Sequence, residues 1–467
     1  MSVPCAAARR DLSSPAMTEP IQPVPPPVPV AAAPPGFTRT QPAPTSAVAS
    51  WVLYDLANTM FSMGVISLYF PQWVRATFGA ESADTVVTLI TSLSMFIIFV
   101  LSPLIGAMSD RAPRRMPFLV ASTVLSVAFT LMLGRAGLVG TMIAFVIANA
   151  AYQAGLQFYD SLLVEVSTEE NRGRIGGIGV GVGYFGSYIA VGLGLILRQA
   201  DHTLLFTLVG IGFLAFAIPC FFFVRERGNP RPGRVFDLKV IGESTRRTVA
   251  TLRQGERYPG LVRFLVGRVF YTDAINTVIM VMVLVAANVL VNSGQSDAGA
   301  ESTARVVILF AISFAMLGGF IWGRLVDRIG PKRTLDAVLY LWLVTFSLAS
   351  AMALFALPTF TLWAVAAMAG IGLGGIWSAD RPLMLRLTPP DRVGEFYGLY
   401  GMVGRFSAII GPLLWGGIFE LMKALGYPEL VGQGVGLIML LIMVLVSRSI
   451  LRKVDDRPRD WEKLQTV

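Results

Sequence analysis

The chain has 467 residues, 54% of them hydrophobic and only 14% charged, with a net charge of +9. Soluble domains carry about 25% charged residues, so this composition excludes an ordinary soluble protein and points to a helical chain that crosses a bilayer many times. Two Cys, Cys5 in a polar tail and Cys220 in an apolar segment, exclude a disulfide framework and a thiolate metal site. The one His, His202, stands at a segment boundary and reads as an ordinary boundary residue. The 29 Phe and 19 Met suit lipid contact and packing and call for no cofactor.

Residues 1–47 are rich in Pro and Ala without an apolar run long enough for a signal peptide, which predicts a disordered cytoplasmic tail. Apolar stretches then follow at 50–74, 85–108, 117–135, 138–163, 175–198 and 202–224, and, after a break, at 262–292, 303–326, 334–356, 359–386, 394–421 and 429–451. About 20 such residues cross a hydrocarbon core of about 30 Å. The reading is therefore twelve transmembrane helices in two groups of six: a bundle over 48–224, a basic linker over 225–261, a second bundle over 262–451 and a tail over 452–467. Pro230, Pro232 and Gly233 make the linker flexible, and 237–253 is expected to form a surface helix.

With the N-terminus inside, the inner loops and C-terminal tail hold 27 Lys and Arg against five in the outer loops (Arg75, Arg135, Arg198, Arg305 and Lys423). That asymmetry predicts both termini on the cytoplasmic side and accounts for the net charge by topology, not by nucleic acid binding.

The halves are also related to each other. Asp55 and Asp273 lie 218 residues apart, Asp110 and Asp327 217, and Asp160 and Asp380 220, with Arg172 and Arg392 each twelve residues after the last pair. Around the first pair the phrase repeats: Tyr54-Asp55 with Asn58 in the first segment, Tyr271-Thr272-Asp273 with Asn276 in the seventh. Three-residue spacing puts Asp and Asn on one helix face. A duplicated six-helix unit suits a solute site at the interface of two bundles that rock against each other, with Asp55 and Asp273 opposite one another across a central cavity.

The second-to-third loop reads Gly106-Ala-Met-Ser109-Asp110-Arg111-Ala-Pro113-Arg114-Arg115, and the eighth-to-ninth reads Gly323-Arg-Leu-Val-Asp327-Arg328-Ile-Gly330-Pro-Lys332-Arg333. Gly lets helices approach, Asp can cap or pair at an adjacent helix terminus, and the basic cluster holds the loop at an anionic leaflet. Both loops resemble the G-x-x-x-D-R-x-G-R-R signature of the major facilitator superfamily, the first departing from it at Pro113. Ser50-Trp51-Val-Leu-Tyr54-Asp55-Leu56-Ala-Asn58, Arg172-Gly173-Arg174-Ile-Gly176-Gly177 with Gly183-Tyr184-Phe-Gly186, Arg268-Val-Phe-Tyr271-Thr272-Asp273 and Glu395-Phe-Tyr397-Gly398-Leu-Tyr400 with Gly411-Pro412 resemble its vacuole-effluxer branch. The resemblance spans about 48–450, with Leu56, Thr272 and Arg405 standing where the branch usually has Trp, Asn and Lys. It implies the major facilitator fold and, from fungal members, amino-acid efflux. The nine Gly of segment 5 allow either close static packing or a sliding contact.

Ionisable side chains inside membrane helices mark solute sites, proton sites or ion pairs. Here these are Asp55, Asp160, Arg268, Asp273, Asp380, Arg381 and Arg405, joined by Tyr54, Asn58, Gln153, Tyr159, Tyr271, Asn276 and Trp377 as candidates for substrate binding or coupling. Gly106, Asp110, Arg111, Arg115, Gly323, Asp327, Arg328 and Arg333 form the conformational loop motif. All four Asp fall one to two turns from the predicted inner ends, so contact with solute and pairing in an inner gate both stay open. Arg405, near the midplane, is read as the site of an anionic or carboxylate-bearing solute, with a structural salt bridge as its alternative.

The sequence thus reads as a secondary transporter, not an enzyme, moving a small polar solute such as an amino acid by alternating access, with efflux and proton coupling as expectations. Alternatives are a transporter-derived sensor or scaffold, or a carrier of sugars or peptides. Expected partners are the solute, protons and the lipid bilayer; no nucleic acid, cofactor or metal is expected, and the protein is expected to be a monomer in a bacterial inner membrane.

Overall fold

A computed structural model of the chain describes residues 41–197, 201–227, 258, 260–389 and 392–457. Most of the expected N-terminal tail, most of the basic linker with its surface helix, and the last residues of the C-terminal tail lie outside the described residues.

Bilayer-length apolar runs fold as helices because nothing in a hydrocarbon core can satisfy the backbone except the backbone itself. The first expected segment becomes α1 (Thr45–Phe61), a π-helical stretch (Ser62–Tyr69) and α2 (Phe70–Phe78). Then come α3 (Ala80–Arg111), α4 (Met116–Met132), α5 (Gly137–Ser161) and the single turn α6 (Leu163–Val166). Segment five is broken at Tyr184 into α7 (Arg172–Gly183) and α8 (Phe185–Ile196), and α9 (His202–Phe223) closes the first group. The second group is α10 (Leu261–Asn292), α11 (Asp297–Ile329), α12 (Pro331–Phe355), α13 (Phe360–Arg386), α14 (Val393–Ala424) and α15 (Glu429–Leu451).

Among the described residues, ten helical runs are long and apolar enough to cross a membrane. The remaining two of the twelve expected segments fall on the broken run 45–78 and on the 17-residue α4. The sequence reading expects one uniform first helix; the π-helical stretch differs from it for a local reason. Pro71 near the start of α2 has no N–H for the carbonyl of Ser67, and a wider turn accommodates its ring.

Buried apolar side chains collect in two large clusters. One holds Trp51, Tyr54, Phe61, Phe70, Phe145 and Phe213; the other holds Phe264, Tyr271, Trp342, Phe346, Tyr397 and Trp415. Large apolar side chains such as Leu89, Phe96, Phe222, Phe360 and Leu413 point outward, the inversion expected of a lipid-facing surface.

Between the two groups, α7 runs along α11 and α3 along α14. The first contact is backbone on backbone: a Cβ on Gly177 would lie 2.3 Å from the Gly319 carbonyl oxygen and 2.6 Å from Gly323 Cα. The second repeats it, since a Cβ on Gly106 would lie 2.4 Å from the Gly394 carbonyl oxygen. The two matched loops turn differently. Gly330 alone links α11 to α12 with φ 88°, a left-handed conformation that suits Gly. Pro113 cannot adopt it, and the first loop instead leaves α3 through an extended Ala112 and takes four residues.

Gly177→Ala is expected to cost about 1–3 kcal/mol, as overpacking does, lowering the apparent melting temperature of the purified protein. Gly176→Ala, one residue away where no atom lies within 4 Å of the added Cβ, is expected to leave it unchanged.

Candidate functional site

Some of the residues singled out from the sequence gather at the interface between the two helix groups, and others are buried within one group. The end carrying the Asp110 and Asp327 loops, the basic end, is held by contacts made in matched pairs. Asp110 accepts the N–H groups of Gly394 and Glu395, both at 2.7 Å, in the first turn of α14, and takes Arg115 Nη2 at 2.8 Å. Asp327 accepts the N–H groups of Gly173 at 2.7 Å and Arg174 at 2.9 Å in the first turn of α7. Each Asp thus caps a helix belonging to the opposite group, satisfying orphan amides and meeting the positive end of the dipole. Gly106 and Gly323 permit the close approach that brings the carboxylates within reach. Arg111 is half-buried, and Arg328 and Arg333 are exposed.

A further cross-group contact at this end was not read from the sequence. Arg386 Nε reaches Glu169 Oε1 at 2.7 Å, and Arg172 pairs with the same carboxylate. Partial burial opposes the charge of Glu169, but the two guanidinium groups outweigh it and hold the carboxyl below its ordinary range.

One layer further in, Arg381 of α13 lies between two carboxylates of the first group: its Nε is 2.9 Å from Asp160 Oδ1 and its Nη1 3.4 Å from Asp55 Oδ2. Asp55 and Arg381 are buried and Asp160 nearly so, and Tyr159, stacked against Trp51 and Tyr54, lies beneath the guanidinium at 5.6 Å. Tyr54, a candidate for substrate binding or coupling, is packed in the core of the first group, 1% exposed with its hydroxyl 2.6 Å from Thr123 Oγ1.

Asp380, the neighbour of Arg381, faces its own group. It takes Arg268 Nε at 3.0 Å, the Tyr271 hydroxyl at 2.8 Å and the Tyr400 hydroxyl at 3.0 Å. The Arg268 guanidinium also donates to the Tyr400 carbonyl at 2.9 Å and stacks 3.6 Å over its ring. Tyr400 was legible only as part of a family-like phrase.

Arg405 of α14 crosses to the first group as well, but to neutral acceptors: Nη1 donates to Ser102 Oγ at 2.8 Å and Nη2 to the Gln153 carbonyl at 2.6 Å. It is buried, its Nε has no hydrogen-bond partner, and among the described residues no carboxylate pairs with it, so the alternative of a structural salt bridge is not what the geometry presents. Ser102 and Gln157, which bond each other at 2.6 Å, complete this contact and carry no signal in the sequence.

The repeat leads one to expect Asp273 opposite Asp55 across a central cavity. It differs: Asp273 is fully buried within its own group, accepting the Gly411 N–H at 2.7 Å, while Asp55 is paired across the interface. The physical reason is that the residues at the matched offsets from Arg268 and Arg381 are Ser50 and Ser161, so the first group supplies no arginine at those positions and the pairing is not symmetric. Asn58 is buried with both amide atoms unpartnered, and Asn276, Gln153 and Trp377 are half-buried.

A family model described as "Vacuole effluxer Atg22 like" matches residues 164–457. The chain is 27% identical over 386 residues to the uncharacterized MFS-type transporter YxiO of Bacillus subtilis, covering 78% of this chain and 86% of that one. It is 22% identical over 355 residues to autophagy-related protein 22 of Yarrowia lipolytica, covering 68% of this chain and 56% of the fungal protein. Among solved structures, a bacterial homologue of the iron transporter ferroportin in an outward-facing state aligns with TM-score 0.66 at 16% identity, over 90% of this chain and 99% of that one. The human organic anion transporter MFSD10 (TETRAN) aligns with TM-score 0.66 at 14% identity, over 87% and 98%. At these identities the solved structures establish the fold, an all-helical membrane protein of the major facilitator type, while the family match makes the protein a membrane transporter rather than an enzyme. The chain belongs to the vacuole effluxer Atg22-like family of major facilitator transporters.

Proposed function

We propose that the protein moves a small zwitterionic solute of the amino-acid class by alternating access, in the export direction, from a bacterial cytoplasm across the inner membrane. The single observation that carries the reading is Arg381 held between Asp55 and Asp160, because an ion triad across the interface is a contact that rocking must make and break. The excess of Lys and Arg at the basic end supports placing that end, and both termini, in the cytoplasm. In this reading the described conformation is closed to the cytoplasm, and Asp110, Asp327 and Glu169 are inner latches. The family description as an effluxer supports export.

Arg405 is the proposed solute contact. A buried guanidinium that meets only a hydroxyl and a carbonyl gains from exchanging them for a carboxylate, since charge-assisted bonds are about twice as strong as neutral ones. The unpartnered amide of Asn58 supplies polar contact from the other group.

Two measurements test this reading. In proteoliposomes supplied with a pool of radiolabelled amino acids, Arg405→Ala is expected to reduce flux about tenfold or more, as expected for losing a charged hydrogen bond of about 1.5–3 kcal/mol, with Arg405→Lys in between; flux unchanged in Arg405→Ala refutes the assignment. Arg381→Gln, which strands two carboxylates, is expected to cost about 3–5 kcal/mol of stability, read as a drop in apparent melting temperature that the added changes Asp55→Asn and Asp160→Asn restore.

A further inference from the structure

Of the four intramembrane aspartates, three are matched by cations: Asp55 and Asp160 by Arg381, and Asp380 by Arg268. Asp273 is not. Its side chain is 0% exposed, Oδ1 accepts the Gly411 N–H at 2.7 Å, and Oδ2 has no hydrogen-bond partner. The buried arginines on the two helices that meet there are committed elsewhere, Arg268 of α10 to Asp380 and Arg405 of α14 to Ser102 and Gln153. Along the other helices packed on α10, Arg381 of α13 holds Asp55 and Asp160, Asp297 of α11 and Glu429 and Arg448 of α15 lie in terminal turns, and Glu301 and Arg305 of α11 are exposed and paired with each other.

Around this carboxylate the available groups are oxygens. Thr277, one turn on, donates its hydroxyl to the Asp273 carbonyl at 2.8 Å, leaving the Oγ1 lone pairs free to accept. A Cβ on Gly411 would fall 2.1 Å from Thr277 Oγ1 and 2.6 Å from Asp273 Oδ1, so both oxygens converge on the same point of α14. Pro412, the next residue, has no N–H for the carbonyl a turn earlier, which frees a further acceptor at the same level. One negative charge, oxygen donors from two helices and no protein cation make a site for a monovalent cation.

We propose that Asp273 binds the coupling cation, a proton or a sodium ion, on its carboxylate, with Thr277 Oγ1 as a second oxygen of the site. This rests on the transport reading above and adds the ion to it. Occupied, the site is neutral and α10 stays packed on α14 beside Pro412; emptied, it buries an uncompensated carboxylate, which drives α14 to move until Asp273 reaches water. Arg405 lies on the same helix, six residues before Gly411, so the solute contact and the cation site move together.

The test needs no solute. Purified wild type, Asp273→Asn and Thr277→Val are compared by binding of radiolabelled sodium and by infrared spectra of the protonated carboxyl C=O band recorded across a pH series. The expected result is that one of the two signals is present in wild type, lost in Asp273→Asn, and weakened or shifted in Thr277→Val, a variant close in shape to the native residue that guards against misfolding of the first. Signals that persist in Asp273→Asn, or are missing from wild type, overturn the proposal; if Asp273→Asn does not fold, unaltered signals in Thr277→Val overturn it. Amino-acid counterflow in proteoliposomes separates the two readings: absent counterflow with intact cation binding at Asp273 refutes the amino-acid assignment alone.

Discussion

An arginine from one half of the molecule, buried between two aspartates of the other, is the interaction on which the described arrangement depends. Removing two carboxylates and a guanidinium from water costs several kcal/mol for each ion, and the attraction offsets this only while all three stay together. A triad of this kind is bistable: formed it excludes water, and broken each member must find solvent or another partner. The rest of the basic end is arranged so that the triad can form. Gly177 against Gly319 and Gly323, and Gly106 against Gly394, let two pairs of helices approach to backbone contact. That approach puts Asp327 and Asp110 on the first turns of α7 and α14. Each cap contributes about 0.5–2 kcal/mol, and all depend on the two halves meeting at this end.

The division of charge between the halves is unequal, and the inequality separates roles. The three arginines buried in the interior of membrane helices, Arg268, Arg381 and Arg405, come from the second half, while the first half's buried Arg172 stands at the start of its helix. Arg381 is spent on the first half's carboxylates, Arg268 on Asp380, and Arg405 on neutral oxygens. One cation without a counter-ion and one carboxylate, Asp273, without a cation are left on adjacent helices. In the proposed mechanism these two leftover charges are the sites that solute and cation complete, while the matched ones work the gate.

Much of this was legible in the sequence because the bilayer imposes it. Apolar runs of about twenty residues mark helices whose ends fall within a few residues of those observed, and the matched loops announced that a carboxylate would sit at a helix terminus. What the sequence did not disclose was partner choice. A count of turns from the helix end sets the depth of Asp55, Asp160, Asp273 and Asp380 but not their rotation toward a neighbour, so it could not say that Arg381 takes two of them and leaves Asp273 alone. The asymmetry was nonetheless present: Ser50 and Ser161 stand at the offsets that match Arg268 and Arg381. Ser102 and Gln157 could not have been found, because small polar side chains in apolar helices usually bond their own backbone. The π-helical stretch after Phe61 was equally silent, since a Pro near a helix start ordinarily marks a simple boundary.

The central claim is that the ion triad holds the basic end shut. It is tested most directly by the distance between spin labels on the two halves at that end, at the exposed positions Glu170 and Arg324, in a background with Cys5 and Cys220 replaced by Ala. The account predicts that adding Arg381→Gln moves the distance distribution measured by double electron–electron resonance to longer values. A distribution that stays where it was without that change would contradict it.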